Sequence, residues 1–147
     1  MSSHTVSITI AAPAERVFAI MSDVERWHEW TPSITSVVRL DEGPFRVGSS
    51  ARVRQPKLPT AVWRVTDLQP NRSFGWTAGA RGLLTIANHQ ILPRPGGGVT
   101  VRLSIRQTGL LAPIVNLLYA GLTRRYLNLE VHGLKRRCED SALASAA

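Results

Sequence analysis

The stretch from residue 34 to residue 107 constrains the fold most strongly. Short runs rich in branched and aromatic residues alternate there with turn residues, such as the glycine-rich connector Pro93-Arg-Pro-Gly-Gly-Gly98. Such short links leave no room for crossover helices, so neighbouring strands must run antiparallel. The pattern predicts six strands in a strongly curved antiparallel sheet, over residues 34–40, 50–55, 61–68, 72–80, 83–92 and 99–107.

The flanking segments add one strand and three helices. Residues 4–10 alternate apolar and polar side chains strictly, as a half-buried strand does. Two short helices follow, the first entered at Pro13 and the second capped by Asp23 and ended at Thr31-Pro32. One long helix is predicted from Ala112 to about Ala142. The chain is therefore predicted to be an α+β protein with about seven strands.

The long helix carries two apolar stripes where a surface helix needs only one. We expect the first stripe to pack on the sheet; it comprises Leu117, Ala120, Leu127, Val131, Leu134 and Cys138. The second consists of Leu111, Val115, Leu118, Leu122, Tyr126 and Leu129. It could form the lip of a cavity, a homodimer contact or a weak contact with an anionic membrane, or it could be buried by the short helices and a loop.

Length and composition favour one globular domain over residues 1–147, with 44% hydrophobic residues. No signal peptide or run of about 18 apolar residues is visible, so a cytoplasmic protein is expected. The lone Cys138 cannot form an intramolecular disulfide and is predicted to lie in the core. Neither a CxxC nor an HExxH motif occurs, and no phosphate-binding or dinucleotide-binding loop does, so no metal and no cofactor is expected.

The net charge of +8 raises the alternative of a nucleic-acid or anionic-lipid partner. The arginines, however, recur singly along the strands, and alternate positions place them on one solvated face. We therefore expect solvated arginines and no nucleic-acid partner.

The order of elements resembles the helix-grip fold of the START-like, Bet v 1-like (SRPBCC) superfamily, in particular its polyketide cyclase/dehydrase-like branch. The motifs that carry the resemblance span the chain. They are Ile8–Phe18, the segment Asp23-Val-Glu-Arg-Trp-His-Glu-Trp-Thr-Pro32, Val47-Gly48, Trp63-Arg-Val65 leading to Pro70, Leu92-Pro93, and Leu134-Lys135 with Glu139. The resemblance implies a cavity between the sheet and the long helix. One fold hosts many functions, so it does not by itself supply a chemistry.

The tryptophan pair in ERWHEWTPSI (25–34) is predicted to brace the fold. Trp27 and Trp30 share one face of a short helix and can plug its junction with the sheet and the long helix. His28 points away from that face and is interpreted as solvated.

The alternation of side chains along the strands predicts which residues line the cavity. Trp63, Phe74, Trp76 and Leu103 are expected to face inward from the strands, and Leu127 and Leu117 from the helix. The resemblance favours the face of residues 83–92 that carries His89. This histidine is the candidate catalytic or ligand-orienting residue, with Gln55, Asn88 or Gln107 as additional polar groups; the alternative is a histidine satisfied by a neighbour.

Three functions follow as hypotheses. The favoured one is non-catalytic binding of a hydrophobic small molecule, such as a lipid or polyketide, for transport or sequestration. The second, implied by the resemblance, is an aromatase/cyclase or dehydrase acting on a cavity-bound polyketide. The third is an interaction module that dimerises or docks on a membrane through the apolar residues 111–122.

Overall fold

The structure, a computed structural model, describes residues 2–140. Its elements match the predicted order, with strand ends shifted by a few residues at most. They are β1 (Ser2–Ile10), α1 (Ala14–Ser22), a 3-10 helix (Val24–Glu29), β2 (Ser36–Arg39), β3 (Ser50–Arg54), β4 (Ala61–Gln69), β5 (Ser73–Ala80), β6 (Leu83–Pro93), β7 (Val99–Thr108) and α2 (Ala112–Glu139). The second short helix is thus a single 3-10 segment, and the predicted end of the long helix near Ala142 falls outside the described residues.

The seven strands form one antiparallel sheet in the order β1-β7-β6-β5-β4-β3-β2. Consecutive strands from β2 to β7 are neighbours, as their short links require. β1 returns to the far edge and pairs with β7, so that Ile8 lies opposite Val101. A bulge between Val65 and Asp67 shifts the register of β4 against β5, and bulges of this kind bend a strand locally.

The C-terminal half of α2 is fastened to the first elements of the chain. Its buried residues Leu127, Val131, Leu134 and Cys138 join the core, as predicted for that part of the first stripe. Polar bonds fix its last turns: the backbone N–H of Ala11 donates to Glu139 at 2.7 Å. These contacts place the helix across one side of the sheet.

The arginines of the strands lie outside the core. Arg64, Arg102 and Arg106 are exposed, while their neighbours on the opposite face are turned inward. Arg39 is the exception, because it is half-buried and pairs with Asp41 at 2.9 Å. No helix among residues 2–140 combines the length and the apolarity that crossing a membrane requires.

Candidate functional site

A cavity of about 560 Å³ lies between the sheet and α2. Residues of β3 to β7 form one wall, and Val115, Tyr119, Thr123, Tyr126 and Leu127 of α2 form the facing wall. Most of the lining is apolar, and the volume is within the range of small-molecule sites. The sheet and the helix therefore leave space that their own side chains do not fill.

Aromatic rings form one side of the cavity. Trp63 on β4 and Trp76 on β5 have ring centroids 5.7 Å apart, and Trp27 of the 3-10 helix approaches Trp76 to 5.3 Å. The indole N–H of Trp27 donates to the Met21 carbonyl at 2.9 Å, which fixes this buried ring. Trp30 is half-buried and packs against Gly133 of α2. The pair does brace the fold, and Trp27 also lines the cavity.

His89 is a buried histidine on the cavity wall. Its ring stacks on Phe74 with centroids 4.1 Å apart, and its Nδ1 lies 3.1 Å from the Phe74 carbonyl oxygen. A carbonyl only accepts, so Nδ1 carries the proton and Nε2 is left as an acceptor. Burial lowers the pKa of His89 to about 4, although the hydrogen bond to Phe74 opposes this shift. The imidazole is therefore neutral at physiological pH.

Glu130 of α2 is a cavity residue that sequence reasoning missed. Burial raises its pKa to about 8, and no hydrogen bond or ion pair joins its carboxyl to another described residue. The side chain keeps a partial accessibility because it borders the cavity. A signal was present in the sequence: Glu130 follows Tyr126 by four residues and therefore shares its helix face.

The other polar candidates divide between the two faces of the sheet. Gln55 and Gln107 line the cavity, and the Gln55 amide also donates to the Ser33 carbonyl at 3.3 Å. Asn88 is exposed, and its side chain lies over Gly75 on the face opposite His89. Asn88 therefore contributes no side-chain polar group to the cavity.

One loop joins the two walls. The Tyr126 hydroxyl donates a hydrogen bond to the carbonyl of Pro56, and Leu58 and Pro59 of the same loop line the cavity. Lys57 adopts a left-handed backbone conformation with φ of 66°, which is uncommon for a residue with a side chain. The β3–β4 loop is thus shaped to cover part of the cavity.

Five of the predicted ligand-binding residues line the cavity, namely Trp63, Trp76, His89, Leu103 and Leu127. Phe74 does not: it is fully buried behind His89 and supports that ring. The inward-facing set on β6 is the predicted one, since Leu83, Thr85, Ala87 and His89 all face the cavity.

Leu117 is 83% exposed and lies outside the cavity, so its predicted packing on the sheet is wrong. Ten residues separate it from Leu127, which at 3.6 residues per turn places the two side chains about 80° apart. The cavity-facing side is formed instead by Val115, Tyr119 and Thr123, spaced four residues apart. Periodicity alone did not distinguish these two faces.

A family model described as polyketide cyclase / dehydrase and lipid transport matches residues 1–139. The chain belongs to this family. The description of the family covers cyclases, dehydrases and lipid transport together. Membership therefore indicates a ligand-binding or cyclase-type SRPBCC domain and does not specify one reaction. No curated protein matches the sequence significantly.

Solved structures of similar fold cover nearly the whole chain. A START superfamily protein from Mycobacterium smegmatis is 20% identical, with a TM-score of 0.72 over 93% of this chain and 97% of that one. The Zhui aromatase/cyclase from Streptomyces sp. R1128 is 16% identical, with a TM-score of 0.74 over 95% and 97%. A protein from Thermus thermophilus is 16% identical, with a TM-score of 0.75 over 99% and 100%. At these identities the likeness shows the fold alone.

Proposed function

We propose that this protein binds a hydrophobic small molecule, such as a lipid or polyketide, in the cavity between the sheet and α2. The observation that carries the proposal is the mostly apolar cavity of about 560 Å³, walled by Trp63 and Trp76 and holding a few isolated polar groups. In a cavity with such a lining, the apolar surface of the ligand provides the affinity and the polar groups orient the ligand.

The apolar walls provide the main driving force for binding. A ligand that buries about 300 Å² of apolar surface gains roughly 7 kcal/mol from the transfer, before the costs of association. The aromatic rings add contacts for flat or unsaturated ligands. Apolar contact therefore supplies a large share of the binding free energy without any charged contact, and sequestration or transport of a metabolite requires no catalytic group.

Native mass spectrometry tests the proposal, using protein purified from a lipid-rich host and extraction of whatever is bound. We expect a discrete hydrophobic ligand that is lost or reduced in Trp63→Ala and in Trp76→Ala. Leu117→Ala is the matched control, because this side chain is exposed outside the cavity. An empty mass, with no uptake from a panel of lipids and polyketides, would refute cavity binding.

A second candidate function is turnover of a bound polyketide by a cyclase or dehydrase reaction. The position of His89 on the cavity wall favours it, since its unprotonated Nε2 can accept a proton from a carbon acidified by two flanking ketones, as in a poly-β-ketone. His89→Asn keeps a donor near the Phe74 carbonyl but removes the base. If the protein is an enzyme, this variant should retain binding and lose turnover by about 100-fold or more, followed as product mass. Equal turnover in both proteins would exclude His89 as the base.

The third candidate uses an exposed apolar surface on the first turns of α2. This outer leucine patch comprises Leu110, Leu111, Ile114, Leu117 and Leu118, with Leu110 92% and Leu118 69% exposed. Exposed apolar groups of this kind mark contact surfaces, and the net charge of +8 favours an anionic membrane as the partner.

Vesicle sedimentation distinguishes the uses of this patch. Docking on phosphatidylserine-containing vesicles should weaken with added salt and with Leu117→Ser. Salt-insensitive dimerisation, measured by light scattering, would instead identify the patch as a homodimer contact. A protein that stays monomeric and does not sediment with the vesicles would exclude both membrane docking and dimerisation through this patch.

A further inference from the structure

The charges of the cavity wall are unusual for this chain. The protein has 18 lysines and arginines, yet none of them lines the cavity, whereas one carboxyl, that of Glu130, does. The cavity wall therefore carries an acidic side chain in a protein whose net charge is positive. A ligand that enters this cavity meets a carboxyl group and no lysine or arginine.

Glu130 differs from the other carboxylates for which the structure gives an interaction. Glu139 pairs with Lys135 at 2.7 Å, and Glu29 pairs with Arg137 at 2.7 Å. Glu130 is more deeply enclosed than either and has no such partner among the described residues. A carboxyl that is desolvated without a partner costs free energy, so a purely structural role is a poor explanation for it.

Aromatic rings elsewhere on the cavity wall complement a cation as well. Trp63 and Trp76 line the same cavity, and the faces of aromatic rings attract ammonium groups. A ligand carboxylate would find no lysine or arginine there and would be repelled by ionised Glu130. A neutral ligand would bind through the apolar walls and polar groups such as Gln55 and Gln107, without an ion pair.

We propose that the cavity selects hydrophobic amines, with Glu130 as the counter-ion of the protonated nitrogen. The inference rests on the proposed cavity binding and adds to it the polar group of the ligand. Glu130 is a ligand-binding residue in this account, and no bond is made or broken.

Proton release is a distinctive consequence. Burial raises the pKa of Glu130 to about 8, so about 0.9 of a proton is bound there at pH 7. Pairing with an ammonium group requires that this proton leave, so amine affinity should fall roughly tenfold per pH unit below pH 8. The other titratable groups lining the cavity are His89, whose pKa near 4 lies below this range, and the phenols of Tyr119 and Tyr126.

Three naphthalene probes with the same ring test the inference by isothermal titration calorimetry. They are 2-(1-naphthyl)ethylamine, 2-(1-naphthyl)ethanol and 1-naphthylacetate. Titration at pH 7 in phosphate and in Tris buffers, which differ in ionisation enthalpy, measures the protons released. Glu130→Gln removes the counter-ion, and Glu42→Gln makes the same substitution at an exposed site outside the cavity.

We expect the amine to bind at least about tenfold more tightly than the alcohol, and the acetate to bind most weakly. Amine binding alone should release close to one proton. Glu130→Gln should abolish both the preference and the proton release, while Glu42→Gln should leave them unchanged.

Three outcomes would overturn the inference, and the third differs from the first two in its meaning. Equal binding of amine and alcohol, unaffected by Glu130→Gln, would refute amine selection and leave cavity binding intact. Tightest binding of the acetate would have the same meaning. Binding of none of the three probes would count against the proposed function itself, and the inference would fall with it.

Discussion

Replacement of His89 by asparagine should remove a large part of the acid sensitivity of folding. The native imidazole is buried, and burial lowers its pKa to about 4, whereas the pKa of an unfolded histidine is near 6.5. Between these two values the unfolded chain binds a proton that the native chain does not. The His89 contribution to stability is therefore complete above pH 6.5 and is lost as the pH falls towards 4.

The size of the effect follows from the difference between the two pKa values. Each pKa unit corresponds to about 1.4 kcal/mol, so a difference of about 2.5 units gives about 3 kcal/mol. This is a large fraction of the 5–15 kcal/mol that typically stabilises a domain. Asparagine does not titrate, and its amide can still donate to the Phe74 carbonyl.

Urea denaturation followed by far-UV circular dichroism at pH 4 to 8 measures the effect. The carboxylates titrate alike in both proteins, so the difference between the two stability curves isolates His89. It should change by about 3 kcal/mol across the window, whereas His28→Asn, at an exposed site, should match the parent protein. Parallel curves for the parent and His89→Asn would show that the native imidazole accepts protons freely and would refute its placement in an apolar wall.

Four further substitutions, one of them a control, test the surroundings of α2. Gly133→Ala should destabilise the protein by about 2 kcal/mol or more in chemical denaturation, because the added Cβ would collide with the backbone carbonyl of Trp30. Gly121→Ala is the control: its added Cβ would have no atom within 4 Å, so it should stabilise the protein by up to about 1 kcal/mol. Tyr126→Phe should cost about 1 kcal/mol and accelerate amide hydrogen exchange in the β3–β4 loop, since the bond to the Pro56 carbonyl is lost. The raised pKa of the native Glu130 carboxyl should lower the free energy of unfolding as the pH rises from 4.5 to 8, and Glu130→Gln should remove this decline. Identical pH profiles of the parent protein and the variant would contradict the burial of Glu130.

The strands were predictable because alternation and turn residues act locally. β6 was predicted over residues 83–92 and is observed over Leu83–Pro93, with His89 on the inward face. Gly96, Gly97 and Gly98 all have positive φ angles in the β6–β7 connection, so the glycine cluster correctly marked a turn. These local signals, together with the family motifs, were enough for the fold.

The buried face of the first turns of the long helix was not predictable in the same way. Two apolar stripes satisfy helical periodicity equally, and only the three-dimensional path of α2 decides which of them meets the sheet. Leu117 was assigned to the buried side and is exposed, whereas Val115 lines the cavity. The choice depends on contacts far apart in the chain.

Glu130 was overlooked for a related reason. A glutamate in an amphipathic helix normally belongs to the solvated face, and strand alternation identifies inward positions only in the strands. Its spacing from Tyr126 and Leu127 carried the correct information, but that spacing has meaning only once those residues are known to face a cavity. Functional groups that break a local rule are the ones sequence patterns miss.

Fluorescence titration with N-phenyl-1-naphthylamine, a neutral hydrophobic probe, tests cavity binding most directly. Ala78→Trp fills the cavity from β5, and Leu117→Trp places the same side chain on the exposed side of α2. We expect saturable micromolar binding to the parent protein and to Leu117→Trp, and a loss of at least about tenfold in Ala78→Trp. Unchanged binding in Ala78→Trp, folded as judged by circular dichroism, would show that the probe binds elsewhere and would contradict the assignment of the cavity as the ligand site.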